Sequence, residues 1–273
     1  MKKVHLLLMQ ALVIVDLLVA MGCDGVDNQP PTCTIIAPLN NDQFTINDII
    51  SVEVTAEDSD GTIAEVRLYV DNTIDSTTIS VPCTFTISAG TLSLGSHTLR
   101  AVVKDDKGAA RISNIVTIKV NVAVGMSFRG GIIAYVDSLG IHGLIAAPTD
   151  QSTGIQWDDG SYIVTGATLT AIGTGKANTT KIVQAHSSGS YSYAAKLCDD
   201  LELNDYDDWF LPSKDEFHQL YENRDLIGGF SNDRYWTSSE VSDNSAYCQS
   251  IEFGNTSQPT KDTPCRVRAV RVF

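Results

Sequence analysis

The stretch Asp208–Asn223, DWFLPSKDEFHQLYEN, joins an aromatic, apolar run to the start of a helix. Pro212 fixes the backbone ahead of Ser213, and Ser213-Lys214-Asp215-Glu216 has the spacing of a capping box. In that arrangement the serine oxygen accepts a first-turn amide and Glu216 reaches back to the amide of the cap. Phe217, Leu220 and Tyr221 follow at intervals that place them on one helix face. Trp209 offers a large apolar face just before the turn, so the run reads as a folding joint. Upstream, a second helical segment is predicted over about Asn178–Leu201, interrupted at His186–Ser190, with Ala194, Ala195, Leu197 and Cys198 near helical spacing. Strands surround these helices. Two apolar runs meet at Ser138-Leu139-Gly140 as a hairpin, and Ser245–Phe253 and Arg266–Phe273 read as further strands. The predicted unit, Gly125–Phe273, is an α+β domain.

Before it, from Thr32 to about Val122, the pattern is strand after strand. Val52, Val54 and Ala56 alternate with polar partners; so do Val66, Leu68 and Val70, then Phe85 and Ile87, then His97, Leu99, Ala101 and Val103. Period-two alternation with frequent turns signals a half-buried antiparallel sandwich, and the length suits one immunoglobulin-like domain. The predicted fold class is therefore mainly β plus α+β. Hydrophobic residues at 43% supply packed cores, while 33 acidic against 19 basic residues leave a formal charge of -14. Nucleic acid and anionic membrane surfaces are poor partners for such a chain, because neutralising phosphates takes clustered Lys and Arg.

The first segment reads as an address. Met1–Gly22 has Lys2 and Lys3, an apolar stretch, and small residues before Cys23, the layout of an export signal peptide. Asp16 within the apolar run argues for removal rather than membrane spanning, at a cost of about 2.5 to 3.5 kcal/mol mid-bilayer. Ala20-Met21-Gly22-Cys23 resembles the bacterial lipoprotein lipobox, which implies lipidation of Cys23. Residues 23–31 then form a short lipidated tether. The expected location is the bacterial cell envelope, lipid-anchored, at the outer membrane or cell surface.

Three motifs, PPTCTIIAPLNND (30–42), AEDSDGTIAEVRLYVD (56–71) and GSHTLRAVVKDDKG (95–108), resemble bacterial Ig-like modules. Five further motifs resemble the Lcl C-terminal-like family, long carried as a domain of unknown function: GGIIAYVDSLGIHGLIAAPTDQSTGIQW (130–157), GTGKANTTKIV (173–183), LCDDLELNDYDDWFLPSKDEFHQLYEN (197–223), YWTSSE (235–240) and VRAVRVF (267–273). The second resemblance implies a fold related to C-type lectins and to formylglycine-generating enzymes, used as the exposed head of bacterial lipoproteins and adhesins. The formylglycine-generating relatives depend on a closely spaced reactive cysteine pair; here Cys248 and Cys265 are well apart, so their catalysis is not carried over.

The candidate ligand-binding surface is Trp157, Asp158, Trp236, Ser238, Ser239 and Glu240, because sugar faces stack on aromatic rings while hydroxyls and carboxylates take hydrogen bonds. Core packing is the plainer reading of Tyr235 and Trp236, since large aromatics are mostly buried. The acidic run around Asp199, Asp200, Asp205 and Asp207 could gather oxygen ligands for calcium, with a solvated loop as the plainer reading. No cofactor is otherwise expected. The turn Glu57–Gly61 fails the EF-hand spacing, since Ala56 and Arg67 stand where ligands belong, and reads as a backbone-capping turn. Gly173-Thr174-Gly175-Lys176 fails as a P-loop because Thr170 and Ala177 replace required residues. No G-x-S-x-G or H-E-x-x-H motif occurs.

With Cys23 lipidated, five cysteines remain, an odd number; Cys33 with Cys83 and Cys248 with Cys265 are the possible disulfides, and Cys198 fits a buried thiol. Both halves of the mature chain are acidic. A sulfated glycan would need Arg266, Arg268 and Arg271 to form a patch, although these can equally pair with nearby acids. The sequence thus leads to a non-catalytic surface binding or adhesion lipoprotein whose head meets a neutral glycan or an envelope or host protein. An envelope docking protein that binds a partner subunit is the alternative, and a glycosidase the third reading.

Overall fold

The computed structural model describes residues 27–186 and 191–273. The signal segment 1–22, Cys23 and the start of the tether lie outside the described residues, as does most of the expected helix interruption. Among the described residues, no helix is long and apolar enough to cross a membrane.

The first domain is a two-sheet sandwich. One sheet has the spatial order β1 (Thr32–Ala37), β3 (Ile50–Glu57), β6 (Cys83–Ile87). The other runs β2 (Gln43–Thr45), β9 (Val116–Asn121), β7 (Gly95–Asp105), β4 (Ile63–Val70), β5 (Thr73–Thr78), with β8 (Ala110–Ile112) also alongside β7. Alternation read from the sequence is the observed burial: Val52, Val54, Val66, Leu68, Phe85, Ile87, Leu99, Ala101 and Val103 form one core between the sheets. His97 is buried too, its ring held between the Asp71 carboxylate at 2.6 Å and the Ser93 carbonyl at 2.8 Å.

The second domain combines two sheets with four short helices. A four-stranded sheet orders β10 (Ser127–Phe128), β11 (Gly131–Val136), β12 (Gly143–Ala146) and β18 (Val270–Val272). A five-stranded sheet orders β13 (Ser152–Ile155), β17 (Cys265–Val267), β14 (Arg234–Glu240), β15 (Ala246–Ser250) and β16 (Thr256–Ser257). The helices are α1 (Gly175–Ala185), α2 (Ala194–Asp199), α3 (Lys214–Glu222) and α4 (Arg224–Ile227). Ser213 caps α3 through the full capping box, and Phe217 and Leu220 enter a core with Phe210, Tyr235 and Val270. Trp157, Trp209, Trp236, Leu211 and Cys198 share the other core of this domain.

Three expectations are corrected. The strand read over Arg266–Phe273 is split between the two sheets. The break falls where Ala269 donates to the Gln151 side chain and accepts from Ala147, so the chain changes partners there. The strand read over Ser245–Phe253 stops at Ser250 and turns. Finally, Cys33, Cys83, Cys198, Cys248 and Cys265 are all free thiols. Cys33 and Cys83 sit on β1 and β6 with β3 between them, two strand spacings or about 9.5 Å apart, beyond the roughly 7 Å Cα reach of a disulfide. Cys248 and Cys265 likewise flank β14 as free, buried thiols. Cys265 draws the Cys248 thiol below its ordinary value against the upward push of burial, and Ser257 Oγ, 3.1 Å from its sulfur, assists. Cys248 and burial together raise the Cys265 thiol.

Candidate functional site

Between β13 and α1 the chain runs through residues 156–174 without regular structure. Ser161–Thr174, SYIVTGATLTAIGT, contains no charged residue. Its backbone takes left-handed φ at Tyr162 (50°), Gly166 (74°) and Gly173 (89°), which no strand or helix accommodates. It carries Tyr162, Ile163, Val164, Leu169 and Ile172, which are 41%, 38%, 68%, 46% and 41% exposed. Val241, also exposed, adjoins the loop because Glu240 donates its amide to the Ala167 carbonyl. An apolar loop facing water would be expected to collapse; this one is held out by what lies beneath it.

Beneath it sits a fully buried ionic clamp. Lys261 Nζ donates to Glu240 Oε1 and to the Ile163 carbonyl, both at 2.8 Å, and lies 3.8 Å from Asp158 Oδ2 and 4.6 Å from the Trp157 ring centre. Glu240 in turn accepts the Thr165 and Gly166 amides at 2.9 Å. Further along, Ser239 Oγ and Asn178 Nδ2 both donate to the Leu169 carbonyl, at 2.7 and 2.6 Å. Ser213 Oγ donates to the Ala171 carbonyl, and Asp215 N to that of Thr170. At the end of the loop Glu216 accepts the amides of Gly173 and Ser213. Burial raises the Glu216 carboxyl above its ordinary value despite those amides. A Cβ on Gly175 would lie 2.2 Å from Glu216 Oε2, so glycine is required there. The amides of the phosphate-like Gly173–Gly175 turn therefore face a protein carboxylate. At the start of the loop, Asp159 sits 2.9 Å from His186 Nδ1. Burial pushes its carboxyl up, but Ser161 and His186 outweigh this and hold it below the ordinary range.

The expected ligand residues thus meet in space but on the wrong side for direct contact. Trp157, Asp158, Trp236, Ser238, Ser239 and Glu240 are all buried. Trp157 Nε1 donates to the Thr237 carbonyl and Trp236 Nε1 to that of Ile155, each at 2.8 Å, so both indoles are packed and hydrogen-bonded inside. Their faces cannot stack on a sugar; what they do is support the loop. Lys261 was not legible, because a lysine in the polar run PTKDTP gives no sign of burial. The apolar loop left a signal, an uncharged run with Tyr, Ile, Val and Leu, that residue-type reasoning about sugar sites passed over.

Asp199 and Asp200 end α2, with Asp200 paired to Lys196, while Asp205 and Asp207 lie on the following turn. Among the described residues, no group of three or more His, Cys, Asp or Glu converges as metal ligands. The Ig-domain acidic turn is capped as expected: Asp58 accepts the Asp60 amide, Asp106 that of Thr62, and Asp60 pairs with Lys107 at 2.9 Å. Among the described residues, Arg266, Arg268 and Arg271 form no patch for a polyanion. Arg266 pairs with Asp150 and Asp233, Arg268 is buried against Asp150, and Arg271 makes a two-point contact with Asp208.

Two family models match parts of the chain. Residues 31–101 match the bacterial Ig domain and residues 147–271 the Lcl C-terminal domain. No curated protein matches the chain. Among solved structures, the fibronectin(III)-like modules of Clostridium thermocellum CbhA are 25% identical, covering 34% of this chain and 99% of theirs, with a TM-score of 0.32. The Bacteroides ovatus mixed-linkage glucan utilization locus protein SGBP-B, solved with a heptasaccharide, is 17% identical, covering 44% of this chain and 32% of its own (TM-score 0.29). The Yersinia pseudotuberculosis adhesin InvE is 10% identical, covering 87% of this chain and 70% of its own (TM-score 0.32). Likenesses of this strength do not carry function.

Proposed function

We propose that this chain is a non-catalytic binding module in which an Ig-like stalk presents the Lcl C-terminal head, and that the head docks a protein partner through the Tyr162–Ile172 loop. One observation carries the reading: a row of exposed apolar side chains, free of charge, standing on a clamp whose ionic groups are wholly buried. Contiguous exposed apolar surface marks interaction sites. A preformed loop also loses little conformational freedom on binding, which favours affinity. A protein partner is preferred over a neutral glycan because the loop is rich in aliphatic side chains, whereas the two tryptophans expected to serve a sugar are inside. Lipidation at Cys23 would tether the module to the cell envelope and place the head beyond the stalk.

The test pairs two measurements on the full chain and a Val164→Asp, Leu169→Asp variant. Affinity capture from the native envelope fraction is expected to retain a defined protein on the wild type and lose it on the variant, while a glycan array stays blank for both. Reproducible glycan binding that the variant leaves intact would overturn the reading.

A further inference from the structure

A second site lies where stalk and head meet, away from the apolar loop. Ile46 and Leu94 of the stalk pack against the apolar cluster that runs from Val122 at the end of the stalk into the head's core, so the two domains share apolar packing there. Beside that contact opens a cleft of about 570 Å³, lined on the stalk side by Ile46 and the Gly90–Leu94 turn and on the head side by Phe128, Arg129, Ile141, His142 and Phe273. The stalk wall is fixed by the Gly90 amide donating to the Ile46 carbonyl at 2.7 Å. On the head wall the Phe128 and Phe273 rings meet edge to face at 5.4 Å. Clefts at domain junctions with apolar walls and a few placed polar groups are where small ligands bind.

The polar group here is unusual in its backbone. β10 and β11 are joined by the two-residue turn Arg129-Gly130, with φ of 42° and 88°. Such hairpin turns need positive φ at both residues and favour Asn, Asp or Gly at the first. An arginine is a poor choice there on local backbone grounds. Its carbonyl is engaged by Arg271 Nη1 at 2.9 Å, and its guanidinium lies 5.0 Å from the Phe128 ring centre. That guanidinium is exposed and pairs with no carboxylate among the described residues, whereas Arg266, Arg268 and Arg271 all do. The nearby Asp137 carboxylate is turned onto the amides of Leu139, Gly140, Ile141 and His142, away from such a role. An unpaired cation on an acidic protein, beside two aromatic rings in a cleft, is suited to an anion attached to an apolar body.

We infer that this cleft binds a small amphipathic organic anion, its apolar part between Leu92, Phe128 and Phe273 and its acid group on Arg129. The test uses the full chain and two fluorescent probes with similar apolar bodies: anilinonaphthalene sulfonate, which is anionic, and phenylnaphthylamine, which is not. Arg129→Asn relieves the turn while removing the cation, so its melting temperature is expected to hold or rise. In that variant the Kd for the sulfonate rises by about tenfold or more, as befits loss of a charge-assisted contact, and the Kd for the neutral probe is unchanged. Ser93→Glu, an exposed position on the stalk wall, weakens the sulfonate and spares the neutral probe. The inference is overturned by an absence of saturable one-to-one sulfonate binding, by equal affinity in wild type and Arg129→Asn, or by binding abolished by Val164→Asp and untouched by Ser93→Glu, which would put the dye on the apolar loop.

Discussion

Replacing Lys261 by Met tests the clamp directly. Lys261, Glu240 and Asp158 have side chains at most 1% exposed, so removing the ammonium leaves two carboxylates without their cation in the interior. Breaking a buried pair by deleting one partner costs about 3 to 5 kcal/mol. For a domain of this size each kcal/mol lowers the melting temperature by roughly 2 to 4 °C, giving a fall of about 6 to 20 °C. Urea denaturation followed by tryptophan fluorescence reports this domain alone, because Trp157, Trp209 and Trp236 are the protein's three tryptophans and all lie in it. The double variant Lys261→Met, Glu240→Gln removes one stranded charge and is expected to recover about 1 kcal/mol or more of the loss, a non-additivity that a purely volumetric effect would not produce. Hydrogen exchange adds a local readout: the Thr165 and Gly166 amides, now bonded to Glu240, should exchange faster in the single variant. A loss under about 1 kcal/mol, or strictly additive single and double variants, would refute the clamp.

Three further outcomes are expected. Burial pushes the Asp208 carboxyl up, but the Arg271 hydrogen bonds and charge outweigh it and hold it below its ordinary 3.8. A depressed folded value stabilises fully above the unfolded one and is lost as pH falls through the folded value, so acid titration of stability below about pH 4 should show a limb that Asp208→Asn abolishes. Trp157→Phe orphans the buried Thr237 carbonyl and should destabilise by about 1 to 3 kcal/mol in the same urea assay, since a buried acceptor without a partner pays its full desolvation. Mass spectrometry of the oxidised, non-reduced chain should contain no Cys33–Cys83 cross-linked peptide, because β3 separates their strands; finding one would show that this sheet order is wrong.

What the sequence made legible follows from range. The capping box at Ser213 and Glu216 is a local pattern and appears as read. The sandwich strands announce themselves by alternation because each buries one face, and Val52, Val54, Leu99 and Ala101 lie where that alternation puts them. The split at Ala269 was hidden because both halves of VRAVRVF alternate well, and only the distant Gln151 and Ala147 decide where the chain changes sheets. The candidate site failed for a related reason. YWTSSE mixes rings and hydroxyls as a sugar site does, yet the same mixture suits a strand whose hydroxyls tie down a neighbouring loop. Ser239 and the Leu169 carbonyl lie seventy residues apart in sequence, so no window along the chain contains both.

The head places its polar groups in an inverted order, and that inversion bears on function. An acidic chain is expected to present carboxylates and hide its aliphatic residues. Here Glu216, Glu240 and Asp158 are buried under amides and an ammonium, while Ile163, Val164, Leu169 and Ile172 face water. Burying charges costs several kcal/mol per ion unless they are paired and hydrogen-bonded, so for stability alone an apolar core would serve as well. What the buried charges supply that an apolar core does not is direction. Each donor or acceptor addresses a particular backbone group of the loop, from the Ile163 carbonyl through the Gly166 amide to the Gly173 amide. Non-directional packing would let those residues slide and bury their own side chains. The polar network under the loop and the apolar row above it are therefore parts of one device, in which ionic groups hold apolar ones at the surface, as the proposed docking requires.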